Sequence, residues 1–324
     1  MTDWRPSSGA RAAESRAAML RRLRVHFESS GVLEVDTPSL SPYAVSDTQI
    51  ESFAIPESQV SRRPLFLQTS PEFCMKRLLA DGYPDIYSIC RVFRDGEIGR
   101  GHQPEFTMIE WYRRDLGLPG MVDDTLSAIA AALGDRAPQE PAAVIDYRDA
   151  FFRELELDAV HAPIQVLADA ADADDALLAS IGDERDDWLD LLMATRIVPT
   201  FAADRLTVVQ HYPASQAALA RLCPADVRLA DRFEVFCGDL ELANGYVELT
   251  DAAEQRERID RDNENRRRRG RAVRPVDTRL LAALGAGLPA CAGVAMGLER
   301  LQMVHDRTED MRDVVTFAFD DNAR

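Results

Sequence analysis

The stretch "RVFRDGEIGRGHQPEFTMIEWYR", residues 91–113, concentrates groups suited to anion binding and to amine binding. Arg94, Arg100 and His102 offer forked and switchable hydrogen-bond donors, the kind that suits phosphate oxygens. Alternation along 105–112 then puts Phe106, Met108, Glu110 and Tyr112 on one strand face and Glu105, Thr107, Ile109 and Trp111 on the other. A carboxylate and a phenol therefore stand beside an aromatic ring. A core strand with one paired glutamate, entered from a surface hairpin with scattered charge, leaves the same trace. The stretch gains meaning only in company.

Three further blocks supply that company. "TSPEFCMKRLL" places Glu72 at the start of a helix after a strand, where its carboxylate either caps the helix or binds an ammonium group. "RFEVFCGDLELANGYVELTD" carries Glu234, Asp239, Glu241, Glu248 and Asn244 on two neighbouring strands. Clustered carboxylates repel, so joint burial implies a bound cation or ammonium, whereas an exposed acidic hairpin needs neither. "AGVAMGLERL" reads as a glycine-spaced strand end turning into a helix with Arg300 on its first turn. Small residues there let a ligand lie against the backbone, and the arginine offers a fork to phosphate.

The elements that must position these residues follow from periodicity. Residues 11–30 read as an amphipathic helix with Leu20, Leu23 and Phe27 at i, i+3, i+7 and Gly31 at its C-cap. "VLEVDTP" is a short strand stopped by Pro38, "PLFLQTS" is another, and Pro71 opens a helix through Leu79. "DIYSICRVF" and "EFTMIEWYR" form a long antiparallel hairpin. A helix over about 119–133 precedes the loop "GDRAPQEPAA"; residues 164–198 read as a solvated helix pair. Strands follow at 205–210, 229–237 and 240–248, then a charged helix over 251–269 and a final strand and helix over 291–305. Hairpin-paired strands with helices in blocks predict an α+β fold built on an antiparallel sheet.

Composition narrows the function. The 324 residues, 46% hydrophobic and 29% charged, fit a soluble protein, here expected as one domain over 1–324. No apolar run approaches the roughly 18 residues that cross a bilayer, and the first residues show no secretory signal, so a cytoplasmic protein without membrane contact is expected. Cys74, Cys90, Cys223, Cys237 and Cys291 lie far apart and are expected as buried thiols. A net charge of −17 repels polyanions, which counts against a tRNA partner. Lys76 is the only lysine, for which genomic base composition is the simpler account.

These blocks, in this order, resemble the catalytic domain of class II aminoacyl-tRNA synthetases of the lysyl branch. "HFESSGVLEVDTPSL" is similar to motif 1, the dimer-forming helix and strand; "RVFRDGEIGRGHQPEFTMIEWYR" is similar to motif 2 and "GVAMGLERL" to motif 3. The likeness runs from about residue 11 to 320 and is strongest toward the short paralogues that ligate lysine to elongation factor P. Motif 1 begins within about 20 residues of the start, leaving no room for an anticodon-binding domain, and Ala295 stands where the synthetase carries glycine. A truncated lysyl-tRNA synthetase charging tRNA is the alternative.

The resemblance implies ATP and Mg²⁺ as cofactors. Arg94 would hold the α-phosphate and act in catalysis with Arg300; Phe106 and Arg300 would sandwich adenine; Arg100 and His102 would reach the outer phosphates. Asp95, Glu97, Gln103, Leu242 and Gly297 would complete the nucleotide site, and Glu234 and Glu241 would bind the metal. Ser70, Pro71, Glu72, Glu110, Tyr112, Asn244, Glu248 and Ala295 would form the amino-acid pocket, its carboxylates pairing the two ammonium groups of (R)-β-lysine or lysine. The implied partners are elongation factor P and a second copy of the chain. An enzyme that acylates lysines would also gain from having few of its own.

Two features depart from the pattern. The family's arginine-any-glutamate signature has Gly96 in its third place, so the glutamate's adenine contact falls to Glu97 or to a backbone carbonyl. "NRRRRGRAVRP", with basic residues from Arg266 to Arg274, reads either as a solvated helix end or as a docking site for an acidic partner.

Overall fold

The computed structural model describes residues 4–319. Two compact units emerge, one up to Ala137 and from Glu248 onward, the other Pro138–Val247. The first boundary falls in the expected loop before Ala143. The expected α+β class is found in both.

In the first unit the strands run in the order Leu33–Glu34, Ile86–Phe93, Glu105–Arg114, Cys291–Gly297, the first pair parallel and the others antiparallel. The long hairpin is in place, Ile86 opposite Tyr112 and Phe93 opposite Glu105. Its two faces are filled as alternation demands. On one, Trp111 is fully buried, 5.4 Å from the Phe27 ring of helix Ala10–Ser29, and donates its Nε1–H to Asp124 at 2.9 Å. On the other, Tyr112 packs with Met75 and Leu79 of helix Glu72–Ala80 and with Leu280 and Leu284 of helix Thr278–Gly287. The buried stripe of Ala10–Ser29 is Met19, Leu23 and Phe27, at i, i+4, i+8, with Leu20 only half-buried.

In the second unit the strands run Leu240–Val247, Arg232–Cys237, Leu206–Gln210, Ala143–Asp146, with only the last pair parallel. Helices Tyr147–Leu155, Ile164–Ala170 and Arg185–Leu192 cover them through Phe151, Leu167 and Trp188. Several expectations change. The strand over 229–237 is two, Asp226–Ala230 and Arg232–Cys237, and the helix pair over 164–198 is three short helices and a π turn. Strand Ala143–Asp146 and helices Tyr147–Leu155 and Thr278–Gly287 were not anticipated. All five cysteines are free thiols, but only Cys237 and Cys291 are buried. Among the described residues no helix is long and apolar enough to cross a membrane.

Candidate active site

Strand Glu105–Arg114 carries Glu110 and Tyr112 to the face covered by helix Glu72–Ala80, and there a buried acidic socket forms. Glu110, 2% exposed, accepts hydrogen bonds from Ser70 Oγ and from the Tyr112 hydroxyl, each at 2.7 Å. Ser70 Oγ also accepts the Glu72 N–H at 3.0 Å, so one hydroxyl ties the helix start, at N-cap Pro71, to the strand. One turn further, Lys76 lies between two carboxylates, its Nζ 2.6 Å from Glu72 Oε1 and 2.5 Å from Glu248 Oε2. The other Glu248 oxygen is buried without a hydrogen bond. The single lysine of the chain therefore sits among the carboxylates expected to hold a substrate amine.

The neighbouring strand lets these groups meet. Gly293 registers with Tyr112 and Ala295 with Glu110, and paired residues share a sheet face. A Cβ on Gly293 would lie 2.5 Å from the Tyr112 ring and 2.6 Å from Glu248 Oε1, so only glycine fits there. The Ala295 methyl stands on the Glu110 face.

Electrostatics mark the socket as built for positive charge. Burial pushes the Glu110 carboxyl up to about 8, and the charge of Glu72 adds to this against the hydrogen bonds from Ser70 and Tyr112. Burial likewise pushes Glu248 up to about 8; Lys76 opposes the rise, and Glu72 and Glu110 add to it. For Lys76 burial works downward, but Glu248 and Glu72 more than reverse it and hold the ammonium charged. Carboxyls raised this far remain short of cations, which a bound amine would supply.

Arg94 follows strand Ile86–Phe93, its backbone N–H donating to Pro104 O at 2.9 Å. Its guanidinium lies 5.1 Å from the Phe106 ring centroid, and Nε is buried with no hydrogen-bond partner, a donor left for a ligand oxygen. Gly96 adopts φ +83, which glycine tolerates best, and Glu97 Oε1 sits 3.5 Å from an Arg94 Nη. The shifted glutamate thus stands at the arginine. Arg300, beyond N-cap Gly297, donates to Gly101 O at 3.3 Å and to His102 Nε2 at 2.6 Å. Arg100 is exposed and paired with Glu309 at 2.6 Å, and Gln103 Oε1 accepts the Phe319 N–H at 2.7 Å, so these two side chains brace the loop against the 309–319 segment. Asp95 donates its backbone N–H to Glu51 O at 2.9 Å.

In the second unit, Glu234 pairs in register with Asn244 and Phe236 with Glu241, and a bulge between them leaves Leu242 unpaired. Regular alternation would send Glu241 and Asn244 to opposite faces; the extra residue brings both to the Glu234 face. Asp239, one of the clustered carboxylates in sequence, is exposed in the turn. Burial first, then the charge of Glu241, pushes the Glu234 carboxyl up to about 7. Two repelling carboxylates with hard oxygens fit a divalent cation such as Mg²⁺. Glu234 also receives Tyr212 Oη at 2.7 Å and Arg232 Nη at 2.6 Å, which hold it in one orientation. His211, Cys223 and Asp231 also bring ligand-type atoms within 4.8 Å of one another, but Asp231 is taken by Arg221 Nε at 2.7 Å.

The model for tRNA synthetases class II (D, K and N) matches residues 1–321. The chain belongs to this family. It is 42% identical to an elongation factor P–(R)-beta-lysine ligase of Enterobacter sp. (strain 638) and 41% identical to those of Salmonella typhi and Klebsiella pneumoniae, each over 98% of both chains. As a class II synthetase-like protein of this kind, it is an ATP-dependent amino acid ligase.

Three residues of the site escaped the sequence reading. Lys76 was counted but given no place in the socket. Arg232 carried a signal, since it precedes Glu234 by two and so shares its face. Glu299, 1% exposed, accepts from Thr107 N at 2.9 Å and Arg16 Nη1 at 3.0 Å, locking the helix that bears Arg300 to the strand that bears Phe106.

Proposed function

We propose that the chain activates a lysine, (R)-β-lysine ahead of α-lysine, as an acyl-adenylate and passes it to the ε-amino group of a lysine on elongation factor P. The observation that carries this reading is the buried socket of Glu72, Glu110 and Glu248, a set of carboxylates matched to a diamino acid. The similarity to elongation factor P–(R)-beta-lysine ligases over nearly the whole chain supports the same substrates.

ATP would lie along Arg94, Phe106, His102 and Arg300. The buried Arg94 fork would meet the negative charge that develops at the α-phosphorus as the amino-acid carboxylate attacks, the bond to the β-phosphate breaks and pyrophosphate leaves; the acceptor amine, once deprotonated, then displaces AMP. Glu234 and Glu241 would hold Mg²⁺, which when bound neutralises charge on the phosphates. Glu97, drawn to Arg94 by the turn at Gly96, takes the adenine contact. Residues 1–324 would act as one catalytic domain, in the cytoplasm and as a homodimer through helix Ala10–Ser29 and strand Leu33–Glu34, where Val25 and Leu33 stand exposed. The intact mass of elongation factor P after incubation with enzyme, Mg·ATP and each lysine isomer tests the proposal. A gain of one lysyl unit supports it; no gain, with tRNA charged instead, overturns it.

The Ala295 methyl beside Glu110 sets the isomer preference. Ala295→Gly is expected to improve α-lysine relative to (R)-β-lysine by about 10- to 200-fold, the range of one methyl group. ATP consumption with each isomer measures this, and a wild-type preference for α-lysine refutes it.

Binding a dication requires ionised carboxyls, and burial pushes Glu110 and Glu248 up to about 8. Below that value the substrate must expel protons. KM for the amino acid is therefore expected to fall as pH rises from about 6 to about 8, and Glu110→Gln should flatten the trend. A pH-independent wild-type KM would contradict this account.

A further inference from the structure

The basic run over 266–274 is anchored inward. Arg266 is fully buried: its Nε donates to Ala272 O at 2.7 Å, one Nη to Asp47 O at 2.9 Å, and the other to Glu51 Oε2 at 2.5 Å. Arg274 grips the second oxygen of the same carboxylate and lies 5.2 Å from the Phe66 ring centroid. Its backbone is held in turn by Asn263, which accepts the Arg274 N–H at 2.7 Å and donates to its carbonyl at 3.1 Å. Arg271 donates to Thr48 O. Three arginines from the end of helix Ala252–Arg268 and the turn beyond it therefore hold the segment 47–51.

That segment has no helix or strand of its own. These side chains hold it from outside, and within it Asp47 Oδ1 accepts the Gln49 N–H at 2.7 Å. Glu51 is also where it meets the nucleotide side of the site, because Glu51 O accepts the N–H of Asp95, the residue after Arg94. Arg94 is thus fixed on one side through Pro104 O and on the other through Glu51.

We infer that Arg266 and Arg274, acting through Glu51, are positioning residues for Arg94, so that the basic run serves adenylate formation and not partner docking. The inference rests on the proposed role of Arg94 at the triphosphate. Two guanidinium groups on one carboxylate fix it in angle as well as distance, which a single ammonium cannot do. Loss of the clamp leaves Asp95 without a fixed acceptor and lets the Arg94 fork drift. Displacements of about 1 Å at such groups cost on the order of 100-fold in rate.

Pyrophosphate exchange, with no protein acceptor present, separates positioning from docking. Arg266→Gln is expected to raise KM for ATP or lower kcat by on the order of tenfold, while KM for the amino acid moves less than about twofold. Arg266→Lys, which keeps the charge at Glu51 but loses the fork, recovers only part. Arg267→Gln combined with Arg268→Gln, at exposed positions where Arg267 pairs with Glu264 and Arg268 with Asn265, leaves exchange unchanged. Should Arg266→Gln fail to fold, Glu51→Gln at a half-exposed carboxylate carries the same expectation. Unchanged ATP kinetics in a folded Arg266→Gln or Glu51→Gln overturns the inference. If Arg94→Ala abolishes exchange while those variants are normal, the positioning inference alone fails; if Arg94→Ala is itself active, the nucleotide reading fails with it.

Discussion

Replacing Arg94 with alanine is expected to cut pyrophosphate exchange by about 100- to 1,000-fold, the usual cost of losing one preorganised donor to a developing negative charge. The fold should survive the change. The guanidinium packs over Phe106, and its Nε makes no hydrogen bond within the protein. A buried donor left unpaired costs about 1 to 3 kcal/mol, so removing it relieves the folded state at the expense of the reaction. Activity and stability are thus expected to part company, with exchange collapsing while the urea midpoint holds or rises. Arg94→Lys should recover little, because an ammonium offers a point charge where the phosphate needs a fork. A rate for Arg94→Ala within about threefold of wild type, a difference of well under 1 kcal/mol, would remove Arg94 from the chemistry.

Lys76→Met carries the largest expected loss of stability, about 3 to 5 kcal/mol, the typical cost of breaking a buried ion pair from one side. Lys76 is 1% exposed and Glu248 is as deeply buried, so removing the ammonium strands the Glu248 charge and frees Glu72 to repel it. The pH dependence gives the result its signature. Glu248 and Glu72 hold Lys76 charged, and Lys76 in return lowers the Glu248 carboxyl. Without it the folded-state value of Glu248 rises further above its unfolded one. Carboxyls raised on folding stabilise at low pH and lose that contribution as pH climbs through the folded values. The deficit should therefore grow as pH climbs above about 8, where wild-type Glu248 has lost its proton and the variant's has not, which urea unfolding at pH about 7 and about 9 measures. A loss below about 1 kcal/mol, or one that is flat with pH, would mean the pair is dispensable. The same ion pairs keep this lysine in its ammonium form, which is not a nucleophile toward an acyl-adenylate beside it.

What was legible in the chain is local. Alternation over 105–112 correctly sent Trp111 and Tyr112 to opposite faces, and the spacing of the motifs announced strand, loop and helix ends in the right order. Patterns of period 2 and 3.6 report how one element meets its surroundings, and each residue in them needs only its near neighbours to be read. Tertiary structure decided which distant charges became partners. Lys76 meets Glu248 across 172 positions, and Arg266 meets Glu51 across 215. Nothing in a basic run tells an arginine that will be buried from one that stays in water, because the answer lies in where a far carboxylate is delivered. The bulge at Leu242 is of the same kind: one extra residue re-aims Glu241 toward Glu234, and the need for it arises from the facing strand, not from the run in which it occurs.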